Sequence, residues 1–146
     1  MARTLAADLE MLSKTVNHVL RFLAKHDPTG HDCFVADVVA EDWQFSFNGT
    51  RFFITTFAPF YGSGHSRFSA RQDSAFIYFQ PEYSFDHHGV FAGNPDRERL
   101  KERVRQAFAN GGTEYSVILV KQPIEAYKYV KPLKVGDPPV EWWNAD

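Results

Sequence analysis

The sequence predicts an α+β fold, an antiparallel sheet with an N-terminal amphipathic helix and a second helix packed on it. Three observations carry this. Apolar residues recur at helical spacing near the N-terminus, an Asn-Gly pair separates two arms rich in aromatic residues, and a second helical pattern follows the strands.

The first helix is predicted over 5–25. Leu5, Leu9, Leu12, Val16, Val19, Leu20 and Leu23 share one face. Thr4 is the expected cap, and Asp8 and Glu10 lie early, where the helix dipole favours negative charge. Asp27-Pro28-Thr29-Gly30 is turn chemistry that ends it. A short strand is expected over 33–39. A hairpin follows, with arms over 43–47 and 51–57 around Asn48-Gly49, whose residues supply the positive φ angles of a tight turn. The first arm alternates aromatic and polar side chains, as a strand with one buried face must. A third strand is expected over 75–79, a second helix over 96–109 and a further strand over 115–120. In the second helix Leu100, Val104, Ala107 and Phe108 share one side, and Asn110-Gly111-Gly112 stops it. Prolines 132, 138 and 139 break up the remainder, which with Trp142 and Trp143 reads as a tail packed over the body.

Composition narrows the function. The 146 residues carry no internal repeat or low-complexity linker and read as one domain over 1–146. Hydrophobic residues at 44% and charged residues at 23% exclude a disordered chain. A net charge of −2 offers no basic field for nucleic acid. No apolar run reaches the ~20 residues that cross a bilayer. The opening residues lack a signal-peptide core, and Cys33 is alone, so a reducing cytoplasm is the expected compartment. Aromatics reach 16%, enough for a substantial core and suited to a flat aromatic cofactor.

Among the six histidines, His18, His26 and His31 lie in or near the first helix and read as structural or surface groups. His65 sits in the polar loop Gly62-Ser63-Gly64-His65-Ser66-Arg67, where glycines admit a ligand close to the backbone and Arg67 can bind a carboxylate or phosphate. An ordinary surface loop is the competing reading. His87 and His88 are neighbours on the chain. Adjacent residues on an extended chain point to opposite sides, so one metal rarely takes both; His65, Glu82 or Asp86, and His87 are candidates for a non-haem iron site, with His88 the alternative to His87. One imidazole alone suffices as the axial ligand of a haem. No base accompanies Cys33, which reads as a buried structural thiol, and no Walker or Rossmann phosphate loop is present. The charged run over 96–105 reads as a solvated helix face.

Phe-Ser-Phe-Asn-Gly-Thr-Arg-Phe-Phe-Ile over 45–54, Ser66-Arg67 and Phe79-Gln80-Pro81-Glu82 followed by Phe85 together resemble the YqcI/YcgG family. Arg103-Val104-Arg105 and Ile124-Glu125-Ala126-Tyr127-Lys128-Tyr129 extend the likeness, which spans about 5–130 and is densest over 45–86. That family includes haem-dependent N-hydroxylases of guanidino groups. The resemblance therefore implies haem b, and N-oxygenation of an amine or guanidine. Relatives often carry His-Pro where this chain has Ala58-Pro59, and a Phe-Pro-Cys segment for which no room is expected ahead of the first helix.

On this reading His65 is the nearest substitute ligand, with His87 or His88 next, and Tyr61 among the rings against the haem. Arg67, or a lysine of the C-terminal segment, would meet propionates or a substrate carboxylate. Glu82 and Glu125 would hold the cationic substrate through paired charge-assisted hydrogen bonds. Three alternatives stand beside it. One is a relative that binds haem or a small molecule without turnover. Another is a non-haem metalloenzyme using His65 with His87 or His88. The third is an interaction module, with Trp142, Trp143 and the lysine-rich tail as contact surface and a homodimer among its outcomes.

Overall fold

The computed structural model describes residues 6–87, 93–113 and 121–146. Helix α1 runs over Leu9–Lys25. Asp8 rather than Thr4 caps it, its carboxylate accepting from the Met11 N–H at 2.8 Å. Thr4 lies outside the described residues. Leu12, Val16, Leu20 and Ala24 turn inward and are buried, as their spacing requires.

The turn after α1 is tied to the hairpin by one carboxylate. Asp27 accepts from the Thr29 N–H and hydroxyl and, through its other oxygen, from the Asn48 N–H at 2.8 Å. The Thr29 hydroxyl, with these N–H groups, holds the Asp27 carboxyl below the usual carboxylate range. Asn48 and Gly49 adopt φ of 50° and 72°, the left-handed pair that a two-residue hairpin turn demands.

Strands β1 (Ser46–Phe47), β2 (Thr50–Phe57) and β3 (Phe76–Pro81) form a three-stranded antiparallel sheet in that order. Ile54 pairs with Phe79 and Thr56 with Ile77, so one face of β2 and β3 meets the core. The first hairpin arm is shorter than predicted. The Phe45 N–H donates to the Tyr129 phenol at 3.0 Å, and Phe45 is fully buried. The predicted strand over 33–39 is instead a 3-10 turn at Cys33–Val35 followed by a bend. Asp32 and Asp37 capture the N–H groups of Phe34 and Val39 two residues on, which removes those donors from any ladder.

A single helical turn, α2 (Ser84–His87), follows β3, and α3 spans Arg97–Asn110. No residue of α3 is buried; Val104 of its apolar stripe is half exposed. The predicted strand over 115–120 lies outside the described residues. Among the described residues no helix is long and apolar enough to cross a membrane.

The C-terminal tail lies over the body as expected, with Trp142 fully buried and Trp143 nearly so. Trp142 stacks on Tyr129 at 5.6 Å and stands edge-on to Trp143. Its indole N–H donates to the Ala126 carbonyl. On α1, Arg21 donates to the Trp143 carbonyl and Asn17 to that of Ala145. Two substitutions test this arrangement. Trp142→Ala should cost about 3–5 kcal/mol in urea unfolding, since a large buried ring is lost. Tyr129→Phe should cost about 1–3 kcal/mol, because the buried Phe45 N–H loses its acceptor.

Candidate functional site

The polar loop that drew attention in the sequence is folded against the tail. A 3-10 turn at Pro59–Tyr61 leads into it, and Ala58 meets Phe68 in an isolated bridge. The Tyr61 hydroxyl donates to the Lys131 carbonyl at 2.7 Å. The Tyr61 ring lies flat on His65, with centroids 4.3 Å apart and planes at 10°. The Arg67 N–H donates to His65 Nδ1 at 3.0 Å. Nδ1 is therefore an acceptor, and Nε2 carries the proton that it donates to the Pro132 carbonyl at 3.1 Å.

Arg67 is buried, its guanidinium donating to the carbonyls of Thr56 and Lys128 and lying 5.8 Å from the Phe57 ring centre. Burial pushes the Tyr61 phenol well above its ordinary value, so it stays a donor at any physiological pH.

The structure thus brings His65, Tyr61 and Arg67 together, in a clamp on main-chain carbonyls. A haem ligand needs a nitrogen lone pair directed at iron. In this arrangement both nitrogens of His65 bond to protein and its face is covered by Tyr61. The Arg67 guanidinium is turned inward to carbonyls. These residues, as folded, do not fit a haem.

Glu82 is exposed and lies 3.8 Å from Arg51, and Glu125 makes a 2.7 Å pair with Lys128. Neither shares the loop's hydrogen bonds. His87 ends the short α2 turn and His88 lies outside the described residues. Among the described residues no three His, Cys, Asp or Glu side chains come together to hold a metal.

A different feature has the scale of a ligand site. Between the end of α1 and the hairpin lies an open cleft of about 800 Å³, bordered by His31, Asp32, Asp42, Trp43, Gln44 and Arg51. Asp32 caps the 3-10 turn through one oxygen. Arg51 donates to the Asp42 carbonyl at 3.2 Å and faces Glu82, so its charge is already partly balanced. Trp43 is fixed by its indole N–H on the Cys33 carbonyl. Burial raises the Cys33 thiol, which keeps it protonated and a poor nucleophile.

Gln44 departs from the alternation expected of the first arm. It is 8% exposed, although its neighbours Trp43 and Phe45 are buried too. The cleft residues escaped sequence reasoning because they come from two turns and a hairpin; the available signal was Asp32 and Asp37, each placed to cap a turn.

The fold is thus that of a mixed α+β protein with a cleft of small-molecule size. The chain belongs to the YqcI/YcgG family, whose pattern matches residues 5–121. No curated protein and no solved structure matches it.

Lys131 gives this region a pH signature. It is 6% exposed and donates to the Ser66 hydroxyl at 3.2 Å. Burial, reinforced by the Arg67 guanidinium, pushes its ammonium down to about 8. The unfolded chain's lysine titrates near ~10.4. Above pH 8 the folded state sheds its proton first and the unfolded state binds more, so stability rises with pH. From pH 8 to 9.5 the wild type should gain on the order of 1–2 kcal/mol relative to Lys131→Met. Chemical denaturation of both proteins across that range reads the difference; parallel curves would refute it.

Proposed function

We propose that the chain is a small-molecule-binding member of the YqcI/YcgG family and that its cleft takes an amine or guanidine. The observation that carries this is the charge around the cleft. Asp32 and Asp42 border it, while its one guanidinium, Arg51, is already set against Glu82. The surplus is negative, and a cation gains from it. A guanidinium is the better fit of the two, since it is flat and weakly hydrated and donates along parallel N–H bonds to carboxylates. Residues of the chain bind and orient such a molecule; the clamp at Tyr61, His65 and Arg67 keeps the adjoining tail in place.

N-oxygenation of the bound amine or guanidine on haem b is the finer reading that the family suggests. Haem would supply the oxygen chemistry there. As folded, the loop lends it no ligand, because both nitrogens of His65 bond to the protein.

Titration with n-butylguanidine, read by tryptophan fluorescence and calorimetry, tests the proposal. Saturable binding is expected, weakened about tenfold by Asp42→Asn, a loss of ~1.4 kcal/mol. Asp32→Asn should act in the same direction while keeping the turn's cap. Binding that ignores both substitutions would remove the cleft as the site. A Soret band on haem titration that disappears in His65→Ala would instead favour the haem reading.

A further inference from the structure

The clamp brings a serine hydroxyl and a lysine amine together. Lys131 Nζ lies 3.2 Å from Ser66 Oγ, close enough for a proton to pass directly between them. The clamp fixes this distance from both sides. Tyr61 donates to the Lys131 carbonyl, His65 to that of Pro132 and Arg67 to that of Lys128, so the main chain around the lysine is bonded to the loop that carries the serine. Ser66 is half-buried, and among the described residues its hydroxyl has no partner besides Lys131.

A serine hydroxyl is a weak nucleophile while it keeps its proton, and a neutral amine at hydrogen-bond distance can take that proton. Burial, with the Arg67 guanidinium, brings the Lys131 ammonium down to about 8, so much of it is neutral slightly above that value. The same loop holds unused donors. The N–H groups of Gly64 and Ser66 meet no acceptor among the described residues, and a Cβ at Gly64 would have nothing within 4 Å. The nucleophile's own N–H and that of the residue two before it form the oxyanion hole in trypsin-type enzymes.

We propose that Ser66 and Lys131 are a nucleophile and base that hydrolyse small esters reaching the open side of this loop. Ser66 Oγ attacks the ester carbonyl carbon, and its proton passes to the neutral Lys131 amine. The carbonyl oxygen takes up the negative charge, which the Gly64 and Ser66 N–H groups are free to meet. As the bond to the alcohol oxygen breaks, Lys131 returns the proton to that oxygen, leaving an acyl-serine. Water then attacks the acyl carbon and gives a proton to Lys131; the acid departs, and the proton goes back to Oγ. Neither residue borders the cleft, so this activity is independent of the guanidine reading.

A fluorophosphonate probe at pH 8.5 tests the proposal, because Oγ displaces fluoride from phosphorus and the adduct is stable. Peptide mass spectrometry of the wild-type chain should place the adduct on Ser66 and not on Ser63 or Ser69. Release of p-nitrophenolate from p-nitrophenyl acetate should fall to the uncatalysed rate in Ser66→Ala. Lys131→Arg keeps a cation and a donor beside Ser66 but supplies no neutral base, so labelling should slow at least about a hundredfold. Unfolding the wild type in urea should abolish the label, a comparison that needs no variant to fold. Three results would overturn the assignment: no adduct on Ser66 in the folded wild type, equal labelling of folded and unfolded wild type, or a Lys131→Arg chain that is folded by circular dichroism and labels as fast as the wild type. The last would leave Lys131 as a structural partner of the serine and nothing more.

Discussion

The tail from residue 124 onward has no strand and no α-helix among the described residues, so no ladder satisfies its carbonyls; a few local turn bonds and many side chains do it instead. Thr56 donates to Tyr129, Tyr61 to Lys131, His65 to Pro132, Arg67 to Lys128, Trp142 to Ala126, and Arg21 and Asn17 to Trp143 and Ala145. Buried carbonyls must find donors somewhere, and here they come from the sheet, the loop that follows it, the first helix and, at Trp142, the tail itself. Everything else rests on that arrangement. Without it Tyr129 and Trp142 could not sit inside, and the sheet would lose the layer that covers its inner face.

This use of side chains bears on how the polar loop is read. Histidine, tyrosine and arginine in a glycine-rich loop are the vocabulary of an active site, yet the same residues are the long-armed donors that an irregular segment needs. Their geometry separates the two roles. Each reaches a main-chain oxygen, and His65 uses both ring nitrogens. Chemistry that requires a free imidazole or an outward guanidinium has no purchase there as the loop is folded. The cleft beside the hairpin is built differently, with the carboxylates of Asp32 and Asp42 on its border.

Periodicity made α1 and α3 legible within a few residues, because a helix writes its face into its own spacing. The Asn48-Gly49 turn and the strands β2 and β3 were legible for a similar reason, being local. The family could be read from the hairpin and the segments after it. What was not legible depended on distant partners. The strand expected over 33–39 lost to Asp32 and Asp37, whose short side chains bond their own backbone. The first hairpin arm shortened as Phe45 gave its N–H to Tyr129, a residue far along the chain. Gln44 is a polar position of the alternating arm, yet it is buried along with Trp43 and Phe45. Tyr61, His65 and Arg67 do lie together, but spacing alone says nothing of which way their donors point.

The bonds from α1 to the last residues join groups 128 positions apart. On the ribosome α1 is made long before Trp142 and Trp143, and until they emerge its buried stripe has only the turn at Cys33–Val35 and the hairpin to lie against. Loop closure of that length is entropically slow compared with helix formation. Until the tail is made the nascent chain therefore carries an incompletely covered amphipathic helix, a natural target for chaperones that hold apolar segments. Synthesis of the tail, rather than completion of the hairpin, is the step that supplies the last part of this core.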